Sequence, residues 1–236
     1  MWLNPVSWLA GAYGVQCLVR GTADLVRDRR ISRHEPTPIQ KVRGGLLLVR
    51  GRVRAEGGTL QEAPLSGTPC VLAFSRIADL EGTIVARASG VSFAVEDATG
   101  RARVLVEEGL CEVAVQRLWR RSVPESELDA RAQAMLRPRY TVQERGRRER
   151  TVELCEWMVF PGDEVYVLAH AHLEVDARGQ ASGFREPPAR AVLRGTGRHA
   201  LVVADADRPS LRRAALRDVG KGAASIAAAA IGFAIW

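Results

Sequence analysis

The stretch Phe93–Glu107 reads FAVEDATGRARVLVE and carries the clearest structural signal in this chain of 236 residues. Apolar residues alternate with polar ones on both sides of the tetrapeptide Asp97–Gly100, whose sequence is DATG. Alternation of this kind is typical of half-buried β-strands, and a short polar segment with glycine is typical of a tight turn. The pattern therefore predicts a β-hairpin that turns at Gly100.

Three further segments have the composition of strands. Leu46–Arg54 (LLLVRGRVR) is rich in apolar and β-branched residues, and its central Gly51 predicts a bulge or a strong bend. Ala63–Phe74 (APLSGTPCVLAF) passes through a turn into an apolar run. Asp163–His172 (DEVYVLAHAH) follows a proline-glycine turn and predicts another strand.

The segment Arg117–Arg137 interrupts this pattern, because its apolar residues follow helical spacing. After it, residues 141–143 (TVQ) and 151–157 (TVELCEW) flank the charged tip Glu144–Arg150 and predict a second hairpin. The sequence thus predicts a mainly β (α+β) fold, namely an OB-like small β-barrel with a helical insertion. A general small barrel or a β-sandwich is the alternative.

The composition excludes two broad classes of protein. With 47% hydrophobic and 26% charged residues, the chain is neither disordered nor embedded in a membrane throughout. The net charge of +7 comes mainly from arginine, whose planar guanidinium pairs well with phosphate and carboxylate groups. The cysteines are far apart and form no C-x-x-C pair, so we expect reduced, buried thiols and no cofactor. They are Cys17, Cys70, Cys111 and Cys155.

Both ends of the chain are nearly free of charge. Trp2–Val19 contains no charged residue, and its length is close to the roughly 20 residues that a membrane-spanning helix requires. Val219–Trp236 contains Lys221 as its only charge. We therefore expect an N-terminal and a C-terminal membrane helix. The alternative for each run is a helix that packs on the globular domain.

Arginines flank both apolar runs on the side of the central domain, and the positive-inside rule then places that domain in the cytoplasm. The predicted organisation is an anchor helix with a basic flank at 1–30, an extended linker at 31–45, a β domain at 46–210, and a basic flank with a second membrane helix at 211–236. Small residues in the C-terminal run favour close packing with the N-terminal helix or with a second copy of the chain. They are Gly220, Gly222, Ala224, Ala228 and Gly232.

A family resemblance rests on five segments: RHEPTPIQKVRGG, LVRGRVRA, APLSGTPCV, FAVEDATGRARVLVE and EWMVFPGDEVYVLAH. Together they resemble the GIDE domain, also called the beside-a-membrane (BAM) domain, over about Ser32–Ser210. The resemblance implies that the chain corresponds to the non-catalytic part of mitochondrial RING-type ubiquitin or SUMO ligases of the MAPL or MULAN kind. The motif residues are Pro64, Leu65, Gly67, Thr68, Pro69, Cys70, Asp97, Gly100, Gly162 and Asp163.

Few residues have the pattern of a catalytic or metal site. A RING finger needs roughly eight cysteine or histidine ligands, and the four cysteines and four histidines of this sequence lack that spacing. Ser66 could be imagined as a nucleophile and Asp97 or Asp163 as acids, but serines and aspartates in turns commonly serve backbone hydrogen bonds. His170 and His172 share one strand face without a third ligand. We expect no catalytic residue and no metal.

The sequence predicts an integral membrane, non-catalytic interaction or scaffolding module. Its expected partners are membrane lipids and an unidentified protein, which the barrel surface and an arginine-rich tip would hold. The resemblance leaves open a RING-less, ligase-like accessory role. Nucleic-acid binding is disfavoured because aromatic residues make up only 6% of the chain and stacking platforms need them. The tip arginines are Arg145, Arg147, Arg148 and Arg150; the stacking candidates are Tyr140, Trp157 and Tyr166.

Overall fold

The structure, a computed structural model, divides the chain into two compact units. One is the β unit, Glu35–Ala206, and the other is the helical unit, Met1–His34 together with Asp207–Trp236. The residues that the structure describes are 5–79, 82–107, 110–115, 118–136, 150–175, 189–205 and 216–227.

The β unit contains all of the described strands and one described α-helix, whereas the described part of the helical unit contains two helices. The strands are β1 (Gly45–Ala55), β2 (Gln61–Glu62), β3 (Pro69–Cys70), β4 (Leu72–Asp79), β5 (Gly82–Gly90), β6 (Phe93–Asp97), β7 (Gly100–Leu105), β8 (Cys111–Ala114), β9 (Leu118–Pro124), β10 (Thr151–Val159), β11 (Glu164–Val175), β12 (Ala189–Arg194) and β13 (Leu201–Asp205). The helices are α1 (Pro5–Ser32), α2 (Ala130–Leu136) and α3 (residues 216–227).

Five strands close into a barrel in the order β1-β6-β7-β12-β11, because β11 also pairs with β1. Only the β7–β12 pair of these five is parallel. Alternate residues point inward, so that Phe93, Val104, Val167 and Leu193 are fully buried in one core. The mainly β fold and the small barrel are confirmed. Strands β13 and β8 extend this sheet beyond β11.

The predicted hairpin is confirmed as β6 and β7, which meet at Asp97 and Gly100. The glycine expected at a bend lies where β1 changes its partner. Residues Gly45 to Arg52 of β1 pair with β11, and Arg52 to Ala55 pair with β6. A Cβ atom on Gly51 would lie 2.6 Å from the carbonyl oxygen of Glu96. Only glycine allows the backbones of β1 and β6 to approach this closely.

A second sheet has the order β5-β4-β10-β9. On one side of it, Ile77, Val152 and Leu154 form a separate core with Leu128 and Ala132 of the α2 region. The predicted helical insertion is thus present, but its first part is the strand β9. The neighbours of β10 are β4 and β9, so both edges of β10 are already paired. Residues 141–143, predicted as its hairpin partner, lie outside the described residues.

The segment 31–45, predicted as an extended linker, packs in part against the barrel. Helix α1 continues to Ser32, and a bridge between Pro36 and Leu48 brings the chain onto β1. Ile39 and Val42 are then buried in the barrel core. The compact β unit therefore begins at Glu35, because these two apolar side chains gain more from burial than from solvent exposure.

Within the described residues, no helix is long and apolar enough to cross a membrane. The two predicted membrane-spanning helices are therefore not supported. In α1 the uncharged run continues into a basic second half, which includes Arg20, Arg27 and Arg30. In the C-terminal run only residues 219–227 are described, and they include Lys221.

The two helices of the helical unit pack closely at two glycines. A Cβ atom on Gly222 would lie 2.7 Å from the carbonyl oxygen of Gly14 and 2.8 Å from Leu18. A Cβ atom on Gly14 would in turn lie 2.8 Å from the carbonyl oxygen of Gly222. The predicted packing of small residues against the N-terminal helix is confirmed at this position. The surface of α3 at Gly222 thus packs against α1 of the same chain.

Replacing Gly222 with leucine is expected to separate α1 from α3, because the new side chain cannot fit against the α1 backbone. We expect hydrogen exchange of the α3 amides to become at least tenfold faster, which corresponds to a loss of about 1.4 kcal/mol in protection. Gly220→Leu is the matched control, since nothing lies within 4 Å of its Cβ position. Equal exchange in the two variants would contradict the packing.

Candidate functional site

The motif segment Ala63–Val71 (APLSGTPCV) closes over a buried carboxylate. Glu156 on β10 is fully buried and accepts four hydrogen bonds. The backbone N–H groups of Leu65 and Ser66 donate at 2.9 Å each, and the hydroxyls of Ser66 and Ser75 donate at 2.5 Å each. A buried carboxylate requires such partners. Ser66 is therefore a structural donor to Glu156.

The backbone of the motif has the shape that these bonds require. Gly67 has a φ of +71°, which other residues rarely adopt, and its N–H donates to the carbonyl of Ala63 at 2.9 Å. Ala63 in turn donates to the carbonyl of Thr68 at 2.9 Å. The turn before strand β3 thus directs the backbone N–H groups of Leu65 and Ser66 toward Glu156. Leu65, Gly67 and Thr68 of the motif thus have structural roles in this turn.

Burial disfavours the reactive thiolate form of the three cysteines in the β unit. All four cysteines are free and buried, as the sequence predicts. Burial, aided by the charge of Glu156, raises the pKa of Cys70 to about 11. Burial, aided by Glu112, raises the pKa of Cys111 to about 12. Burial also raises the pKa of Cys155. Because the thiolate is the reactive form, Cys70 and Cys111 are inert at neutral pH.

Asp97 holds the turn of the β6–β7 hairpin. Its carboxylate accepts hydrogen bonds from the N–H groups of Thr99 at 2.6 Å, Gly100 at 2.9 Å and Ile39 at 2.9 Å. Partial burial acts to raise the pKa of Asp97, but these bonds and that of the Thr99 hydroxyl outweigh it and lower the pKa. Asp97 therefore fixes both the hairpin turn and the segment before β1.

Asp163 and Gly162 hold the turn between β10 and β11. A side-chain oxygen of Asp163 accepts a hydrogen bond from the N–H of Phe160 at 2.8 Å, and Gly162 has a φ of +94°. The N–H of Gly162 donates to the carbonyl of Val53, and the N–H of Val53 donates to the carbonyl of Asp163, both at 2.8 Å. Ser66, Asp97 and Asp163 thus lie in three different turns, each bonded to nearby backbone.

The remaining predicted sites are only partly visible. His172 lies 3.0 Å from Glu174, and the described residues contain no group of three or more metal-binding side chains. Of the tip arginines, Arg150 lies 3.5 Å from the carboxylate of Asp79. Arg145, Arg147 and Arg148 lie outside the described residues.

A basic surface that the sequence did not single out lies on the outside of the barrel. Three arginines alternate along β1 with buried Val49, Gly51 and Val53, so they point outward. Two more point outward from β7, and β6 lies between the two strands. We call this surface the arginine face, defined by Arg50, Arg52, Arg54, Arg101, Arg103 and the intervening Glu96.

Carboxylates neutralise only part of the arginine face. Arg50 pairs with Glu164 at 2.8 Å, Arg54 with Glu96 at 2.9 Å, and Arg103 with Glu56 at 2.7 Å. Exposed pairs of this kind contribute about 0–1 kcal/mol each, so they add little to stability. Among the described residues, Arg52 and Arg101 have no ion-pair partner. Five arginines against three glutamates leave a net charge of +2.

Trp157 and Tyr166, the two stacking candidates that the structure describes, are not open platforms. The ring of Trp157 lies 5.7 Å from that of Phe74, and the guanidinium of Arg76 covers it at 5.3 Å. Tyr166 is 8% exposed, and Arg50 lies over its ring at 5.7 Å. Tyr140 lies outside the described residues. The rings of Trp157 and Tyr166 thus already contact arginines.

Comparison with known proteins adds no identification. No family model, no characterised protein and no solved structure matches this chain. The resemblance to the GIDE domain stays a prediction from the sequence. The function must therefore be inferred from the surfaces of the chain itself.

Proposed function

We infer that the protein is a non-catalytic interaction module that works at a membrane surface and holds a partner protein there. The arginine face supports this inference most directly. Guanidinium groups bind phosphate through paired hydrogen bonds, and anionic lipid headgroups present phosphate in quantity. Arg52 and Arg101 are the arginines of this face that are available for such contacts.

The position of the arginine face within the barrel also supports binding. Numbered by chain order, the five barrel strands are β1, β6, β7, β11 and β12. Around the barrel they stand in the order first, second, third, fifth and fourth, and the barrel closes between the fourth strand and the first. This small closed barrel resembles the OB type, in which the face of the second and third strands binds ligands. Here those strands are β6 and β7. Lipid headgroups fit this face better than nucleobases do, because it offers no open aromatic ring.

The helical unit would supply the main attachment to the membrane. Its helix α1 has large apolar side chains on its exposed surface, with Tyr13, Val15 and Val26 each more than half exposed. A net charge of +2 on the arginine face is worth about 2 kcal/mol beside an anionic leaflet, since each basic residue contributes about 1 kcal/mol. That attraction orients the β unit but does not anchor the chain.

The double variant Arg52→Ser/Arg101→Ser is expected to weaken binding of the β unit (residues 35–206) to phosphatidylserine vesicles about 30-fold at low salt. Its thermal stability should change by less than about 0.5 kcal/mol, because both side chains are exposed. Vesicle sedimentation measures the binding. Arg120→Ser/Arg121→Ser removes equal charge from the other sheet and should bind like the wild type. Equal losses in the two variants would contradict a specific arginine face.

A further inference from the structure

We propose that the outer edge of β9 binds an extended acidic segment of a partner protein, which adds to the second sheet as a further strand. The proposal rests on the proposed function, because it names how that function's partner is held. Strand β9 pairs with β10 along all seven of its residues, from Leu118 to Pro124. Its other edge pairs with none of the described strands.

An edge strand leaves half of its backbone N–H and C=O groups unpaired, and these groups can accept another strand. The two edges of this sheet differ in that respect. The β4–β5 ladder has a register shift at Ile77 and Ala78, and a bulge of this kind twists an edge away from further pairing. The β9–β10 ladder has no such irregularity. Among the described strands of this sheet, β9 is therefore the edge better suited to addition.

The side chains of β9 are suited to an acidic occupant. Leu118 and Arg120 are 45% and 63% exposed on one side of the sheet, and Arg121 is exposed on the other. Glu153 offsets part of the charge of Arg120. Arg121 has no carboxylate partner among the residues that the structure describes. An added strand would meet positive charge on both of its faces.

Other occupants fit this edge less well. A second copy of the chain that paired through β9 in antiparallel fashion about Arg120 and Arg121 would place arginines opposite arginines, which is destabilising. A nucleic acid has no strand-like backbone to pair with N–H and C=O groups. The preferred segment thus carries two adjacent acidic residues, one for each face of the sheet, and an apolar residue two positions beyond the one opposite Arg120. The acidic residues would lie opposite Arg120 and Arg121, and an apolar residue would contact Leu118.

The test uses the full chain in a mild detergent and a labelled peptide with two adjacent glutamates within a valine-rich segment, with binding measured by fluorescence anisotropy. Arg120→Glu/Arg121→Glu is expected to weaken binding at least tenfold and to gain binding of the matching lysine peptide. Arg194→Glu/Arg198→Glu, an exposed pair elsewhere on the β unit, should bind the glutamate peptide like the wild type.

N-methylation of the peptide, one residue at a time, separates strand addition from simple charge attraction. Strand addition predicts large losses at every second position, because alternate N–H groups pair with the edge. Uniform effects, no binding, or a dimer that forms through β9 would each overturn the proposal, and this series needs no protein variant. Vesicle binding by Arg120→Glu/Arg121→Glu should persist, so a failure here is distinguishable from a failure of the proposed function.

Discussion

Replacing Glu156 with alanine is expected to lower the free energy of unfolding of the β unit by about 4 kcal/mol. The loss arises because four donors would remain in the protein interior without an acceptor. Two of them are backbone N–H groups, of Leu65 and Ser66, and two are hydroxyls, of Ser66 and Ser75. Glu156→Gln should be milder, at about 2 kcal/mol, because one oxygen still accepts hydrogen bonds.

Urea unfolding of residues 35–206 measures both effects. Glu164→Ala is the matched control, because it also removes a strand glutamate, but one that is 51% exposed and paired only at the surface with Arg50. Its loss should not exceed about 1 kcal/mol. If Glu156→Ala and Glu164→Ala unfolded at the same urea concentration, the four hydrogen bonds to Glu156 would not exist as described.

The buried role of Glu156 illustrates a limit of prediction from local sequence. Strand β10 reads TVELCEWMV, and an acidic residue inside such an apolar run signals either an exposed face or a buried, hydrogen-bonded carboxylate. The sequence does not distinguish the two, because the donors come from residues that precede Glu156 by about 80 to 90 positions. The sequence identifies the motif around Leu65 and Ser66, but it does not show that these residues donate hydrogen bonds to Glu156.

Elements with a strong local pattern were predicted well. The β6–β7 hairpin, β1 with its glycine and β11 all show alternation or apolar runs next to turn residues, and these signals act within a few positions. β9 was missed because LWRRSVP carries few apolar residues and precedes a true helix. An edge strand buries little, so its sequence has little reason to alternate.

The arginine face could not be predicted from either strand alone. The sequences RGRVR and GRAR each alternate arginine with small or apolar residues, which indicates an exposed strand face. That the two strands share a face follows only from the pairing of β6 with both β1 and β7. The terminal runs are a different case, because the spanning helices predicted there are not supported by the described residues. Their composition suggested spanning helices, whereas α1 continues through a basic segment to Ser32.

The close approach of β1 and β6 at Gly51 predicts the second large loss of stability. Gly51→Ala is expected to destabilise the β unit by about 3 kcal/mol, because overpacking of a tight site costs about 1–3 kcal/mol and here backbone must move. The added methyl would lie 2.6 Å from the carbonyl oxygen of Glu96 and from a methyl of Val95. Neither the strand backbone nor a buried valine can yield without opening the barrel between β1 and β6.

Gly197→Ala is the control for this variant, since nothing lies within 4 Å of its Cβ position and its φ is not in the left-handed region. Its stability should stay within about 0.5 kcal/mol of the wild type. Below its melting transition, Gly51→Ala should also bind anionic vesicles more weakly, because displacement of β1 separates Arg52 from Arg101. A variant that kept wild-type stability and wild-type vesicle binding would show that β1 and β6 do not meet at Gly51.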